Sequence, residues 1–124
     1  MRSVVQKKSY NSVTVFWLDR QALRQRLTLS VQRLTNREPN VLRVVLFGSA
    51  AEERGVPSSD VDLLLVVSDA ETRFIDRPAA FREYFAGLGV EVELFVYTEA
   101  ELKSNSPPLL LTALRRGKTL FSRV

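Results

Sequence analysis

The segment Leu46–Val67, LFGSAAEERGVPSSDVDLLLVV, constrains this chain more than any other. It follows from a strand predicted over Val41 to Phe47, makes a Gly48-Ser49 turn and a polar loop, and enters a second strand headed by Asp60 and Asp62. Side chains i and i+2 of a strand share a face, so the two aspartates stand side by side with Cα atoms roughly 6.5–7 Å apart. Anions that close raise each other's pKa unless something neutralises them. Leu63, Leu64, Leu65, Val66 and Val67 follow at once, a run typical of a strand buried on both faces. A divalent cation is the natural counter-charge, because Mg²⁺ takes one or two carboxylates together with substrate phosphates. Gly48 permits a tight turn and close approach to a ligand. Ala50, Ala51, Glu52 and Glu53 predict a short helix whose free N–H groups, with the Ser49 hydroxyl, suit phosphate oxygens. The plain alternative is a strand-turn-strand with surface acids.

Composition narrows the chemistry. With no histidine and no cysteine, the chain can build neither a Ser-His-Asp triad nor a histidine or thiolate metal site. Acid–base work falls to carboxylates. The 124 residues predict a single domain spanning 1–124 with a core that needs no staples. No segment has the length of a membrane span and MRSVVQKKSY is not a secretory signal, so the expected location is cytoplasmic, with no membrane partner. A net charge of +4 favours anionic partners but equally suits an ordinary soluble surface.

The flanks predict the layers. Met1 to Ser12 reads as a flexible arm, and Val13–Trp17 as an edge or added strand. Asp19 is placed to cap a helix, on which Leu23, Leu27, Val31 and Leu34 form one apolar face. Arg20, Arg24, Arg26, Arg33 and Arg37 cover much of the rest, as a solvated face. Pro39-Asn40 ends it. Ser68 to Arg77 reads as a loop and Pro78 as the first turn of a helix, with Phe81, Tyr84, Phe85 and Leu88 facing the core. Gly87 and Gly89 end it. Val90 to Tyr97 is the next strand, with Val90, Val92, Leu94 and Val96 on one face and Glu91, Glu93, Phe95 and Tyr97 on the other. Thr98-Glu99-Ala100-Glu101 is a capping box. Ser106-Pro107 begins a last helix with Leu110, Ala113 and Leu114 inward, Gly117 closes it, and Lys118 to Phe121 forms a final strand.

Gly48-Ser49, ten residues, then Asp60-Val61-Asp62 resembles the signature of the polymerase-β-type nucleotidyltransferase superfamily, and the short chain is most similar to its minimal members, the MntA-like antitoxin group. The resemblance implies an α+β, two-layer nucleotidyltransferase fold: a mixed β-sheet with helices packed mainly on one face. It also implies a third carboxylate on a later strand. Both Glu91 and Glu93 are candidates by alternation; Glu93 lies deeper in the apolar strand, and the family pattern favours it, leaving Glu91 in reserve. By position, Asp60, Asp62 and Glu93 would be the catalytic and metal-binding residues for two Mg²⁺ ions, with Gly48 and Ser49 holding the triphosphate of ATP. Two features depart from the pattern: Glu52 and Glu53 stand where family members often carry Arg-Gly, and the third acid is Glu rather than Asp.

The activity so implied is transfer of a nucleoside monophosphate from a nucleoside triphosphate to a hydroxyl, with release of pyrophosphate. Minimal members typically act on a tyrosine of a HEPN-domain protein, as the antitoxin of a toxin–antitoxin pair. A small-molecule, antibiotic-modifying nucleotidyltransferase is an alternative, although those enzymes usually carry an added helical domain. A catalytically weakened nucleotide- or partner-binding module is another. Direct nucleic-acid binding is not favoured.

Overall fold

The computed structural model describes residues 5–10, 13–18, 20–47, 61–104 and 108–123. Several expectations fall outside them: the Asp19 cap, the Gly48-Ser49 turn, the helix from Ala50, the loop through Arg54 and Pro57-Ser58-Ser59, Asp60, and the Ser106-Pro107 helix start.

The central sheet has four strands in the order β5-β4-β3-β6. β3 (Val41–Phe47) lies antiparallel to β4 (Val61–Val67) and to β6 (Lys118–Ser122), and β5 (Val92–Thr98) lies parallel to β4. The sheet is mixed, as the resemblance implied. A separate antiparallel pair joins β1 (Val5–Tyr10) to β2 (Val13–Leu18). Val5–Tyr10 thus forms a strand within the stretch read from sequence as an arm.

Strand alternation sorts the sheet into two faces. Val41, Val44 and Leu46 of β3, Val61, Leu63, Leu65 and Val67 of β4, and Leu94 and Val96 of β5 point into the larger core. Helix α1 (Arg20–Arg37) closes that face with Leu23, Leu27, Val31 and Leu34, the stripe that its 3.6-residue spacing predicts, and with Ala22 beside them. Two 3₁₀ segments, Phe74–Ala80 and Arg82–Leu88, complete it with Phe81, Tyr84, Phe85 and Leu88. Val45, Phe47, Leu64, Val66 and Leu110 form a smaller core on the opposite face, where α2 (Glu99–Ser104) and α3 (Pro108–Arg116) add Leu102 and Leu114.

The region after β4 departs from expectation in helix type. Sequence spacing placed one helix from Pro78; the chain winds into 3₁₀ turns from Phe74, and Pro78 sits inside the first segment. Proline lacks the N–H that an α-helical interior needs, and short 3₁₀ turns tolerate its place in the chain. The apolar positions were nevertheless assigned to the right face. Gly89 closes the second segment at φ 80°, a left-handed conformation that glycine adopts without a Cβ clash.

Long-range bonds lock the layers. Arg33 donates to the Tyr84 carbonyl at 3.1 Å, and the Tyr84 hydroxyl donates to Glu38 at 3.2 Å. Burial, and after it the Glu38 carboxylate, raises the Tyr84 pKa above its ordinary value. Arg123, after β6, donates to the Val41 carbonyl at 2.8 Å and the Thr35 carbonyl at 2.6 Å. It joins the end of α1 to the start of β3.

Candidate active site

β4 and β5 run parallel with Val61 opposite Val92, Asp62 opposite Glu93, and Leu63 opposite Leu94. The Val61 N–H donates to the Glu91 carbonyl at 2.8 Å, which fixes the register at its first rung. Asp62 and Glu93 are therefore cross-strand neighbours, one strand spacing of about 4.8 Å apart at the backbone. Both follow the alternation of the smaller core: Asp62 precedes Leu64 and Val66, and Glu93 precedes Phe95 and Tyr97. They share the face, and the end of the sheet, at which Phe47 closes β3 opposite Asp62.

Their surroundings form a gradient. Phe47 and Phe95 meet just inside the pair with ring centroids 5.6 Å apart. Asp62 is half-buried and Glu93 exposed. Like charges directly opposite each other on adjacent strands are destabilising. A cation seated between them turns that repulsion into attraction. Carboxylate oxygens are the donors that hard divalent ions prefer, so the donor set fits Mg²⁺. Among the described residues no group of three metal-ligating side chains assembles; Asp60, Gly48 and Ser49 lie outside that set.

Glu91 and Glu93 occupy different positions. Glu93 lies within β5 and faces Asp62, whereas Glu91 precedes the strand and its carbonyl serves the first rung. Both border a cavity of about 480 Å³ whose other walls are Pro78, Arg82, Val92 and Leu94. Arg82 lines the same cavity and brings a cation to its wall. Sequence reasoning missed it, because only the fold brings the second 3₁₀ segment to the near half of β5 and no local pattern announces it.

The far end of β5 is closed instead. Thr98 and Glu101 form the predicted capping box: the Thr98 N–H donates to Glu101 at 2.8 Å and the Glu101 N–H donates to the Thr98 hydroxyl at 3.1 Å. Arg77 completes it, donating to Glu101 at 2.7 Å and to the Val96 carbonyl at 3.1 Å. The Arg77 guanidinium, followed by the Thr98 N–H, holds the Glu101 carboxyl below the usual carboxylate range.

The comparisons with known proteins give the family and the fold. A family model described as "Polymerase beta, Nucleotidyltransferase" matches residues 30–124. No curated protein matches the chain in sequence. Among solved structures, a provisionally assigned nucleotidyltransferase from Sulfolobus solfataricus superimposes with a TM-score of 0.61 at 21% identity, covering 84% of each chain. A toxin–antitoxin structure with AMP-PNP gives 0.60 at 23% identity, over 77% of this chain and 73% of that one. An MntA–HepT toxin–antitoxin gives 0.54 at 22%, over 82% and 72%.

Proposed function

The chain belongs to the polymerase β nucleotidyltransferase family, and from that premise we propose that it transfers AMP from ATP to a hydroxyl of a protein partner. The observation that carries this reading is the in-register pairing of Asp62 with Glu93 at one end of the sheet. Asp60 precedes β4 by one residue, and strand alternation would give it the same side as Asp62. Three acids would then serve one spot. Gly48 and Ser49 follow β3 directly and would offer a backbone N–H and a hydroxyl to the triphosphate.

In this mechanism Asp60, Asp62 and Glu93 would hold Mg²⁺. When bound, two such ions supply positive charge at the attacking and leaving oxygens of an in-line displacement. The chain's own groups do the remainder. Glu93, exposed at the rim, takes the proton from the acceptor hydroxyl. The freed oxygen forms the new bond to the α-phosphorus as the bond to pyrophosphate breaks. Ser49 and the Gly48 N–H retain the leaving pyrophosphate. Phe47 and Phe95, packed beneath the acids, limit water below the pair and strengthen its electrostatics.

The partner we favour is a HEPN-domain protein modified on tyrosine, with this chain as the antitoxin. The similarity to toxin–antitoxin structures, one of them with AMP-PNP, supports that choice. No helix among the described residues is long and apolar enough to cross a membrane, which is compatible with such a partner in the cytoplasm. Incubation with α-labelled ATP, Mg²⁺ and the HEPN protein should label a tyrosine of the partner. Absence of label with the unmodified chain, across Mg²⁺ and Mn²⁺ titrations, would refute the transfer.

A further inference from the structure

β5 is an edge strand of the four-stranded sheet, and its two halves present different edges. In the parallel register, Glu91, Glu93, Phe95 and Tyr97 direct their backbone N–H and C=O groups toward β4. The groups of Val92, Leu94, Val96 and Thr98 therefore point outward. At the far half the outward groups are occupied: Arg77 takes the Val96 carbonyl and Glu101 takes the Thr98 N–H. At the near half, the outward groups of Val92 and Leu94 have no partner among the described residues. They open into the 480 Å³ cavity walled by Pro78, Arg82, Glu91 and Glu93. That volume lies in the range of about 300–1,000 Å³ that bound ligands occupy.

We propose that Val92–Leu94 is a docking edge for the acceptor, which binds as an extended, hydroxyl-bearing stretch of a second polypeptide and adds a strand to the sheet. The proposal rests on Asp62 and Glu93 being the transfer site. An unpaired edge is a template for main-chain hydrogen bonding. On an added strand, the residue opposite Glu93 lies about 4.8 Å away and directs its side chain to the face that Glu93 shares with Asp62. A hydroxyl at that one position is thereby delivered to the acids. Residues on either side of it turn to the opposite face, beside Val92 and Leu94. The Arg77–Glu101 closure stops the added strand from sliding toward Thr98, where a hydroxyl would meet Tyr97 instead.

A second copy of this chain is a poor occupant. Pairing its own β5 edge would bring Glu91 and Glu93 of both copies together, and like charges across a strand pair are destabilising. A different polypeptide suits the rim better. Arg82 is exposed and makes no hydrogen bond or ion pair among the described residues, so it offers a cation to an acidic residue flanking the acceptor hydroxyl.

The test combines hydrogen exchange with kinetics, using the full chain and the HEPN-domain protein as probe. In the free chain the Val92 and Leu94 amides should exchange quickly, while the Thr98 amide, bonded to Glu101, exchanges slowly. Adding the partner should protect Val92 and Leu94. Val92→Pro removes an outward N–H and no bond to β4, and proline is tolerated on edge strands. It should raise the KM for the partner about tenfold, as expected from losing one backbone hydrogen bond. A complex in which both amides exchange as in the free chain would overturn the docking edge while leaving the transfer reading intact. So would a well-folded Val92→Pro chain with an unchanged KM. If the unmodified chain neither binds nor labels the partner, the partner reading and the docking edge fall together.

Discussion

On one side of the sheet, β4 sends Val61, Leu63, Leu65 and Val67 into the core beneath α1 and the 3₁₀ segments. On the other, the same strand presents Asp62, then Leu64 and Val66, against the smaller core of Val45, Phe47 and Leu110. The first side is apolar along the whole of β4. The second is apolar only beyond its first position, and there Asp62 meets Glu93. One strand can thus serve stability with its odd residues and chemistry with its even ones, because alternation keeps the two sets on opposite faces. A charge at the head of the even set adds no unpaired group to the larger core.

Substitutions that act on one face and spare the other test that division. The largest expected effect is on chemistry: Asp62→Asn should lower AMP transfer by about a thousandfold, the loss of a charged group worth several kcal/mol in the transition state. Thermal melting should show the fold retained, since one of two adjacent anions is removed. The complementary change is Leu65→Ala on the larger core, which should cost about 3 kcal/mol in denaturant titration and leave any folded fraction active. If Leu65→Ala abolished transfer in folded protein, the two faces would not be independent.

Next comes the choice between the glutamates. Glu93→Gln should reduce transfer by about 100-fold, the scale on which misplaced catalytic groups act. Glu91→Gln should change it by less than about threefold, because Glu91 lies outside the register that brings Glu93 to Asp62. Equal losses would show that the register does not select the third acid.

The Arg77–Glu101 closure predicts smaller effects. Arg77→Ala should cost about 1–2 kcal/mol by leaving the Val96 carbonyl and the Glu101 carboxylate short of a donor. Its pH dependence follows from the lowered Glu101 pKa. The unfolded chain binds this proton more readily than the folded one, so the stabilisation is present above about 4.5 and is lost as pH falls through the lower folded value. The gap between the wild type and Arg77→Ala should narrow over that acidic range, read by urea unfolding at a series of pH values.

Much of this arrangement was legible in the sequence, for local reasons. The Leu63–Val67 run, the three- and four-residue spacing of Leu23, Leu27, Val31 and Leu34, and the Thr98-to-Glu101 box are each written locally in the sequence, where period and capping chemistry act directly. The acids at the heads of β4 and β5 were visible for the same reason. What escaped was decided by tertiary contact. VQKKSY lacks a period-two apolar pattern, and it forms β1 by pairing with β2. The 3₁₀ winding around Pro78 keeps the same apolar residues inward as an α-helix would, so spacing alone does not separate the two. Arg77 reaching Glu101 and Arg123 reaching Thr35 join residues far apart in the chain, and Arg82 lines the cavity beside Glu93 only because the fold brings the second 3₁₀ segment to β5. Gly48, Ser49 and Asp60 carry the resemblance and lie outside the described residues.

The most direct measurement is a crystal structure with a non-hydrolysable ATP analogue and Mn²⁺, using the anomalous signal to locate the metal. The account predicts a metal ion with carboxylate oxygens of both Asp62 and Glu93 at about 2.1–2.2 Å, and the triphosphate reaching toward Ser49. A metal bound elsewhere, with the Glu93 carboxylate turned away from Asp62, would contradict it.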